Sequence, residues 1–211
     1  MTRGKFIAFE GGEGAGKSTQ VRLLADALAA RGIAGVVTRE PGGTPGAEAI
    51  RGLLLGTAGE GWHPRAEALL FAAARSDHVE RLIGPALEAG QWVICDRFVD
   101  SSRAYQGGAG GLTDTEVMAL HAVGSQGLLP DLTLLIEVSG ATAAARAKAR
   151  DGDAADRIGG RDAAYHARVA QGFAALAAAQ PERFARIAGD GAAGDVHRAV
   201  MAALTALLAA P

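Results

Sequence analysis

Gly11-Gly12-Glu13-Gly14-Ala15-Gly16-Lys17-Ser18 fits the pattern G-x-x-x-x-G-K-[ST], and what flanks it decides the fold. Upstream, Lys5-Phe6-Ile7-Ala8-Phe9 is an apolar run of strand length; downstream, residues 19–28 carry apolar side chains at helical spacing. Strand, glycine loop, helix is the context in which the pattern works. The glycines let successive backbone N–H groups turn inward onto phosphate oxygens, and the first helical turn adds unpaired donors and a positive dipole end. Gly11, Gly12, Glu13, Gly14, Ala15, Gly16, Lys17, Ser18 and Thr19 are therefore the expected triphosphate-binding residues. Lys17 can reach the terminal phosphates, and the Ser18 hydroxyl is available to Mg2+.

Outward from the loop, short apolar runs alternate with longer helical patterns. Strands are expected at 5–9, 33–38, 91–95, 132–138 and 184–188, with helices near 17–30, 44–55, 64–89, 113–124, 140–150, 162–179 and 195–209. Thr113-Asp114-Thr115-Glu116 has the form of a capping box, and Gly32 and Gly90 stand where helices end just before strands. Such alternation implies βαβ units and a mostly parallel sheet covered by helices on both faces. Ligands of such sheets bind beyond the carboxyl ends of the strands.

Length and composition agree. The 211 residues suit a single domain, 1–211, with a small mobile appendage; a formal net charge of −2 offers no basic field for nucleic acid or membrane. The single cysteine, Cys95, excludes an intrachain disulfide framework. No apolar run is long enough to span a bilayer, and the N-terminus runs into a strand with no charged-then-apolar leader. A cytoplasmic enzyme is expected. No Ser/His/Asp grouping, Cys-x-x-Cys pair or His-x-x-x-His motif is present, so hydrolytic triads and zinc chemistry have no foothold.

The charged residues collect after the strands. Thr38-Arg39-Glu40-Pro41-Gly42-Gly43-Thr44 follows the second, and Asp96-Arg97-Phe98-Val99-Asp100-Ser101-Ser102-Arg103-Ala104-Tyr105-Gln106-Gly107-Gly108 follows the third. A basic, glycine-containing segment from Arg146 to Arg157 comes late in the chain. Each has a bland reading as a turn, a surface charge or a solvated loop, but beside a phosphate loop they fit phosphoryl transfer, which needs charge neutralisation and positioning. Asp96 can serve Mg2+ through water, Arg39 and Arg97 can grip an acceptor phosphate with forked donors, and Arg150 and Arg157 can fold over the transferring group.

These landmarks resemble the thymidylate kinase family, bacterial type, over essentially the whole chain: residues 9–18, Thr38 to Thr44, Leu70-Phe71-Ala72-Ala73-Ala74-Arg75, Asp96-Arg97-Phe98 through Ser101, Ala104 to Gly108, Pro130 to Leu134 and Asp156-Arg157-Ile158. The resemblance implies a three-layer P-loop nucleoside monophosphate kinase fold with a five-stranded parallel sheet in the order 2-3-1-4-5, a homodimer burying helices that include the 64–89 segment, and the Mg2+-dependent reaction of ATP with dTMP. It implies that Phe71 stacks on thymine, that Arg75 bonds a base oxygen, and that Arg39 and Arg97 hold the acceptor phosphate. It also places Glu10 near the 3′-hydroxyl, Ser102 and Gln106 near the base, Tyr105 near C2′, and Ser101 among the substrate-binding residues. Lys17, Arg97, Arg157, Arg150 and Asp96 are the catalytic candidates.

With no arginine between Gly11 and Lys17, the chain resembles the group whose lid, here about 146–161, supplies the basic residue. It departs from related lids, which read Asp-Arg-Ile-Glu or Asp-Arg-Phe-Glu, in following Ile158 with Gly159-Gly160-Arg161. A kinase for another nucleoside monophosphate and a P-loop regulatory ATPase are the alternatives.

Overall fold

The computed structural model describes residues 3–56, 60–151 and 156–209, apart from the side chains of Ala147, Lys148, Arg150 and Asp151. Strands β1 (Phe6–Glu10), β2 (Gly35–Arg39), β3 (Trp92–Asp96), β4 (Leu132–Glu137) and β5 (Phe184–Ala188) form one all-parallel sheet in the order β2-β3-β1-β4-β5. β1 lies between β3 and β4 with helices over both faces, so its residues are all buried, as a central parallel strand requires. The two-residue pleat sorts its side chains: Ile7 and Phe9 face one helical layer, Phe6 and Ala8 the other.

The first layer holds α1 (Lys17–Ala29), which contributes Val21, Leu24 and Leu28. Beyond β2 come α2 (Pro45–Leu55) and α3 (Pro64–His78), and α3 continues through a π-helical turn, Val79–Ile83, into α4 (Gly84–Glu88). The predicted helix 64–89 is thus one path with a widened turn. Pro85 has no N–H to give, and the Gly84 N–H reaches back to Val79 O instead of closing an α turn. The second predicted strand begins later than expected because the Ile33 N–H bonds Leu28 O and belongs to the end of α1.

After β3 the chain forms α5 (Val99–Ser102) and a second π segment, Arg103–Ala109, a stretch outside the helices expected from the sequence. α6 (Asp114–Ser125) opens on the expected capping box, with Glu116 N donating to Thr113 Oγ1 at 3.2 Å and Thr113 N to the Glu116 carboxylate at 2.8 Å. α7 (Gly140–Asp151) follows β4; residues 152–155 of the expected lid and the Arg150 side chain lie outside the described residues. α8 (Ala163–Ala179) packs on the π segment, where Gly172 lets Ala104 and Gly108 approach its backbone. α9 (Ala193–Ala203), the junction residue Leu204 and α10 (Thr205–Ala209) close the α1 layer, with Val196, Val200 and Leu204 in its core. Among the described residues no helix is long and apolar enough to cross a membrane.

Candidate active site

The phosphate loop leaves β1 at Glu10 and enters α1 at Lys17. Gly11 sits at φ 139°, and a Cβ there would lie 2.4 Å from Ile136 O, so only glycine lets the loop pass this close to β4. Lys17 is buried and donates to Gly11 O at 3.0 Å and Gly12 O at 2.9 Å, curling its ammonium under the loop. Burial, and secondly the charge of Arg97, pulls its pKa down to about 8. An anionic phosphate in the loop would offset both effects. Ser18 Oγ donates to Asp96 Oδ2 at 2.7 Å, joining the start of α1 to the end of β3.

Beside the loop stands Arg97, in the left-handed region at φ 72°, an uncommon conformation for a residue with a side chain. That backbone turn aims its guanidinium at Gly11 O (3.0 Å), Ser101 Oγ (3.2 Å) and Glu13 Oε1 (2.5 Å), and over the Tyr105 ring at 5.1 Å. Burial opposes its charge, but Tyr105, Glu13, Asp96 and Glu10 together hold its pKa above the ordinary guanidinium range. Glu10 is fully buried and accepts from Phe98 N (2.8 Å), Ser101 N (3.0 Å) and Ser101 Oγ (2.6 Å). Burial first, and then the neighbouring Asp100, pushes its pKa up to about 7.

The third group lies on α3. Arg75 Nε donates to Glu40 Oε2 at 2.7 Å, and its Nη2 to Ser102 Oγ at 2.9 Å and Phe98 O at 3.3 Å. Phe71, one helical turn earlier, lines the same space. A single cleft of about 610 Å³ is walled by the loop from Glu13 to Thr19, by Asp96 and Arg97, and by Arg39, Phe71, Arg75, Ser101, Ser102, Tyr105 and Gln106. Residues expected from five separate stretches of sequence thus share one cavity. Arg39 is at its rim, half-exposed and paired with Glu48 at 3.0 Å.

The family profile described as thymidylate kinase matches residues 9–200. The chain belongs to the thymidylate kinase family. It is 56% identical over 206 residues to a thymidylate kinase of Rhizorhabdus wittichii, covering 97% of this chain and 99% of that one. With a thymidylate kinase of Nitrobacter winogradskyi it shares 48% over 203 residues, covering 96% and 88%. The crystal structure of thymidylate kinase from Ehrlichia chaffeensis is similar at a TM-score of 0.77 and 31% identity, covering 96% of this chain and all of that one.

Two arginines of the cleft wall are not among the site residues expected from the sequence, although Arg146 falls in the expected lid. Arg51 lines the cleft from α2 and donates to Pro41 O at 2.8 Å; burial, then the charge of Arg39, lowers its pKa. Its signal was there, because it falls on the helix face of the buried Ala47 and Leu54. Arg146, on α7, reaches Gly189 O at 3.0 Å and lines both the cleft and an adjoining hollow of about 220 Å³ with Gln20 and Gly191. Arg157 is outside the cleft lining: its Nε donates to Gly56 O at 2.8 Å and its N–H to Leu55 O at 3.3 Å, docking the segment on the end of α2. Arg161 pairs with Glu67 on α3.

Proposed function

We propose that the protein transfers the γ-phosphoryl group of ATP to the phosphate of dTMP, releasing ADP and dTDP. The observation that carries this reading is the continuity of the cleft from the phosphate loop to a second, arginine-lined pocket. A regulatory ATPase has no use for the second pocket. The residues beside the loop also fit Mg2+. Ser18 and Asp96 present two adjacent oxygen donors, the small protein share suited to an ion that keeps waters and takes substrate phosphates as its other ligands. When bound, Mg2+ supplies charge neutralisation at the donor phosphates.

In this reading an oxygen of the dTMP phosphate attacks Pγ while the bond from Pγ to the β-bridging oxygen breaks and the electron pair leaves with ADP. Gly11 to Thr19 cradle the donor, and Lys17 neutralises charge gathering between its β- and γ-phosphates. Arg97, which touches both loop and acceptor pocket, bridges the two phosphates; Arg39 and Arg51 complete the acceptor grip. Phe71 stacks on the base, Arg75 donates to its oxygen, and Ser102 and Gln106 stand beside it. Glu10 and Ser101 lie at the sugar, with Tyr105 crowding C2′. Residues 146–161 act as a lid whose Arg157 and Arg150 close over the transferring group, which requires Arg157 to leave Gly56. The adjoining hollow, with Arg146 at its mouth, takes the adenine.

We further place a homodimer interface on the α3–α6 face, where Leu69 and Val123 are exposed on two helices that pack together. Lone, buried Cys95 and the nucleotide substrates suit a cytoplasmic setting. ADP release measured with dTMP, dUMP, dCMP, dAMP and dGMP tests the central reading. dTMP should be used best; ADP release independent of any acceptor would mean a regulatory ATPase, and preference for another nucleotide a different kinase.

A further inference from the structure

Gln106 is 3% exposed, comes from the π segment after α5, and lines the cleft beside Phe71, Arg75 and Ser102. Its amide nitrogen donates to Glu67 Oε1 at 2.9 Å, and among the described residues no donor reaches its oxygen. Glu67, on α3, is equally buried and takes no place in the cleft wall. Its other oxygen accepts from the guanidinium of Arg161, which lies over the Tyr165 ring at 4.5 Å; the Tyr165 hydroxyl in turn donates to Tyr105 O at 3.0 Å.

A carboxylate has only acceptors. An amide packed against it must turn its NH2 that way, which leaves its carbonyl as the group facing the cleft. With Arg161 on the far side, the Glu67 carboxylate accepts on both sides. We propose that Glu67, paired with Arg161, is a positioning residue for base selection: it fixes the Gln106 amide with its carbonyl toward the base, so that the site selects a pyrimidine bearing N3–H over one bearing a bare N3. Thymine and uracil carry that N–H; cytosine presents a lone pair that the carbonyl repels. The selectivity does not separate thymine from uracil. It deepens the proposed function and rests on the assignment of Gln106 to the base pocket. A site that must bond an N–H rejects the partner lacking it strongly, because its buried polar group is left unpaired.

Glu67→Gln keeps the size of the side chain but supplies an amide able to donate to the Gln106 oxygen, which frees Gln106 to turn over. The measured quantity is the ratio of kcat/KM for dTMP to that for dCMP. In Glu67→Gln this ratio falls by about tenfold or more, mainly through the KM for dTMP, while the KM for ATP and the dTMP-to-dUMP ratio stay within twofold. Arg161→Ala, a change at a partly exposed residue, moves the ratio in the same direction, and in a Gln106→Ala background Glu67→Gln changes it no further. A wild-type ratio in both Glu67→Gln and Arg161→Ala, with Gln106→Ala lowering it, overturns this inference alone. A wild-type ratio in Gln106→Ala overturns the base-pocket assignment beneath it. Parallel loss of dTMP and ATP use with a lowered Tm makes Glu67 a structural residue and also overturns the inference.

Discussion

Replacing Arg75 by Met should unfold the protein more easily and blind it to the base, and the two effects can be separated. Arg75 and Glu40 are each about 4% exposed along their side chains, with 2.7 Å between Nε and Oε2. Glu40's other oxygen meets His78 Nδ1 at 3.1 Å, and His78 Nε2 meets Thr38 Oγ1 at 2.7 Å. Methionine fills most of the arginine stem's volume but leaves the Glu40 carboxylate buried with half of its partners. Solvent cannot screen it there. Removing one member of a buried pair costs about 3–5 kcal/mol, and at roughly 2–4 °C per kcal/mol for a chain of this size the Tm should drop by about 6–20 °C.

Removing the second charge as well should reverse much of that. Arg75→Met/Glu40→Gln deletes the stranded carboxylate, so the double variant should regain more than half of the lost Tm despite carrying one more change. Base recognition will not return. A charged hydrogen bond is worth about 1.5–3 kcal/mol, so kcat/KM for dTMP should stay roughly 10- to 150-fold below wild type in both variants, with the Kd for an ATP analogue unchanged. Thermal unfolding by circular dichroism, steady-state kinetics and nucleotide titration give the three readouts. A single variant within about 2 °C of wild type, or a double variant no more stable than the single, would refute the reasoning about the buried pair.

Lys17→Ala should abolish turnover and leave the circular dichroism spectrum intact, since among the described residues its ammonium bonds only the loop carbonyls of Gly11 and Gly12; near-normal turnover would remove it from the donor site. Glu10 should make the nucleotide-free protein lose stability as pH rises. Its folded pKa of about 7 lies above the ordinary 4.5, so its contribution is full below about pH 4.5 and gone above about 7. The difference in stability between wild type and Glu10→Gln should therefore shift by at most about 3 kcal/mol from pH 4.5 to 8, and a pH-independent difference would deny the burial effect. Arg157→Ala should lower the single-turnover rate by about 10³-fold with little change in ATP affinity, and a wild-type rate alongside a slow Arg150→Ala or Arg161→Ala would move the role to that arginine.

The strands, the parallel sheet and most of the cleft could be read in advance because each rests on a local signal. An apolar run before the glycine loop, Gly32 and Gly90 behind helices, and charged residues after strand ends are all short-range features. Val99 to Ala109 could not be read that way. Its serines and glycine pairs resemble a loop in isolation, and it is helical because Ala104 and Gly108 pack against Gly172, about 65 residues on. Tyr105 and Gln106 were assigned by family likeness, while the π turn that buries both in one wall depends on that distant contact. Glu67 was invisible for a related reason. On α3 it looks like a solvated helical charge, and only the fold brings Gln106 and Arg161 to its two oxygens.

One geometric fact joins the phosphate loop to the arginines beyond β4. Gly14 sits at φ 69°, and a Cβ there would lie 2.4 Å from Ala143 O on α7. The loop can carry no side chain at this position while α7 keeps its place. Arg146, one turn beyond Ala143 on the same helix, brings its guanidinium within 3.7 Å of where a Gly16 Cβ would stand. An arginine at position 14 would need space that α7, the helix carrying Arg146, already fills. Glycine at position 14 and the close seating of α7 are therefore two sides of one packing solution. This gives the absence of an arginine at position 14 a steric cause, and it ties the charge beside the loop to the seating of α7.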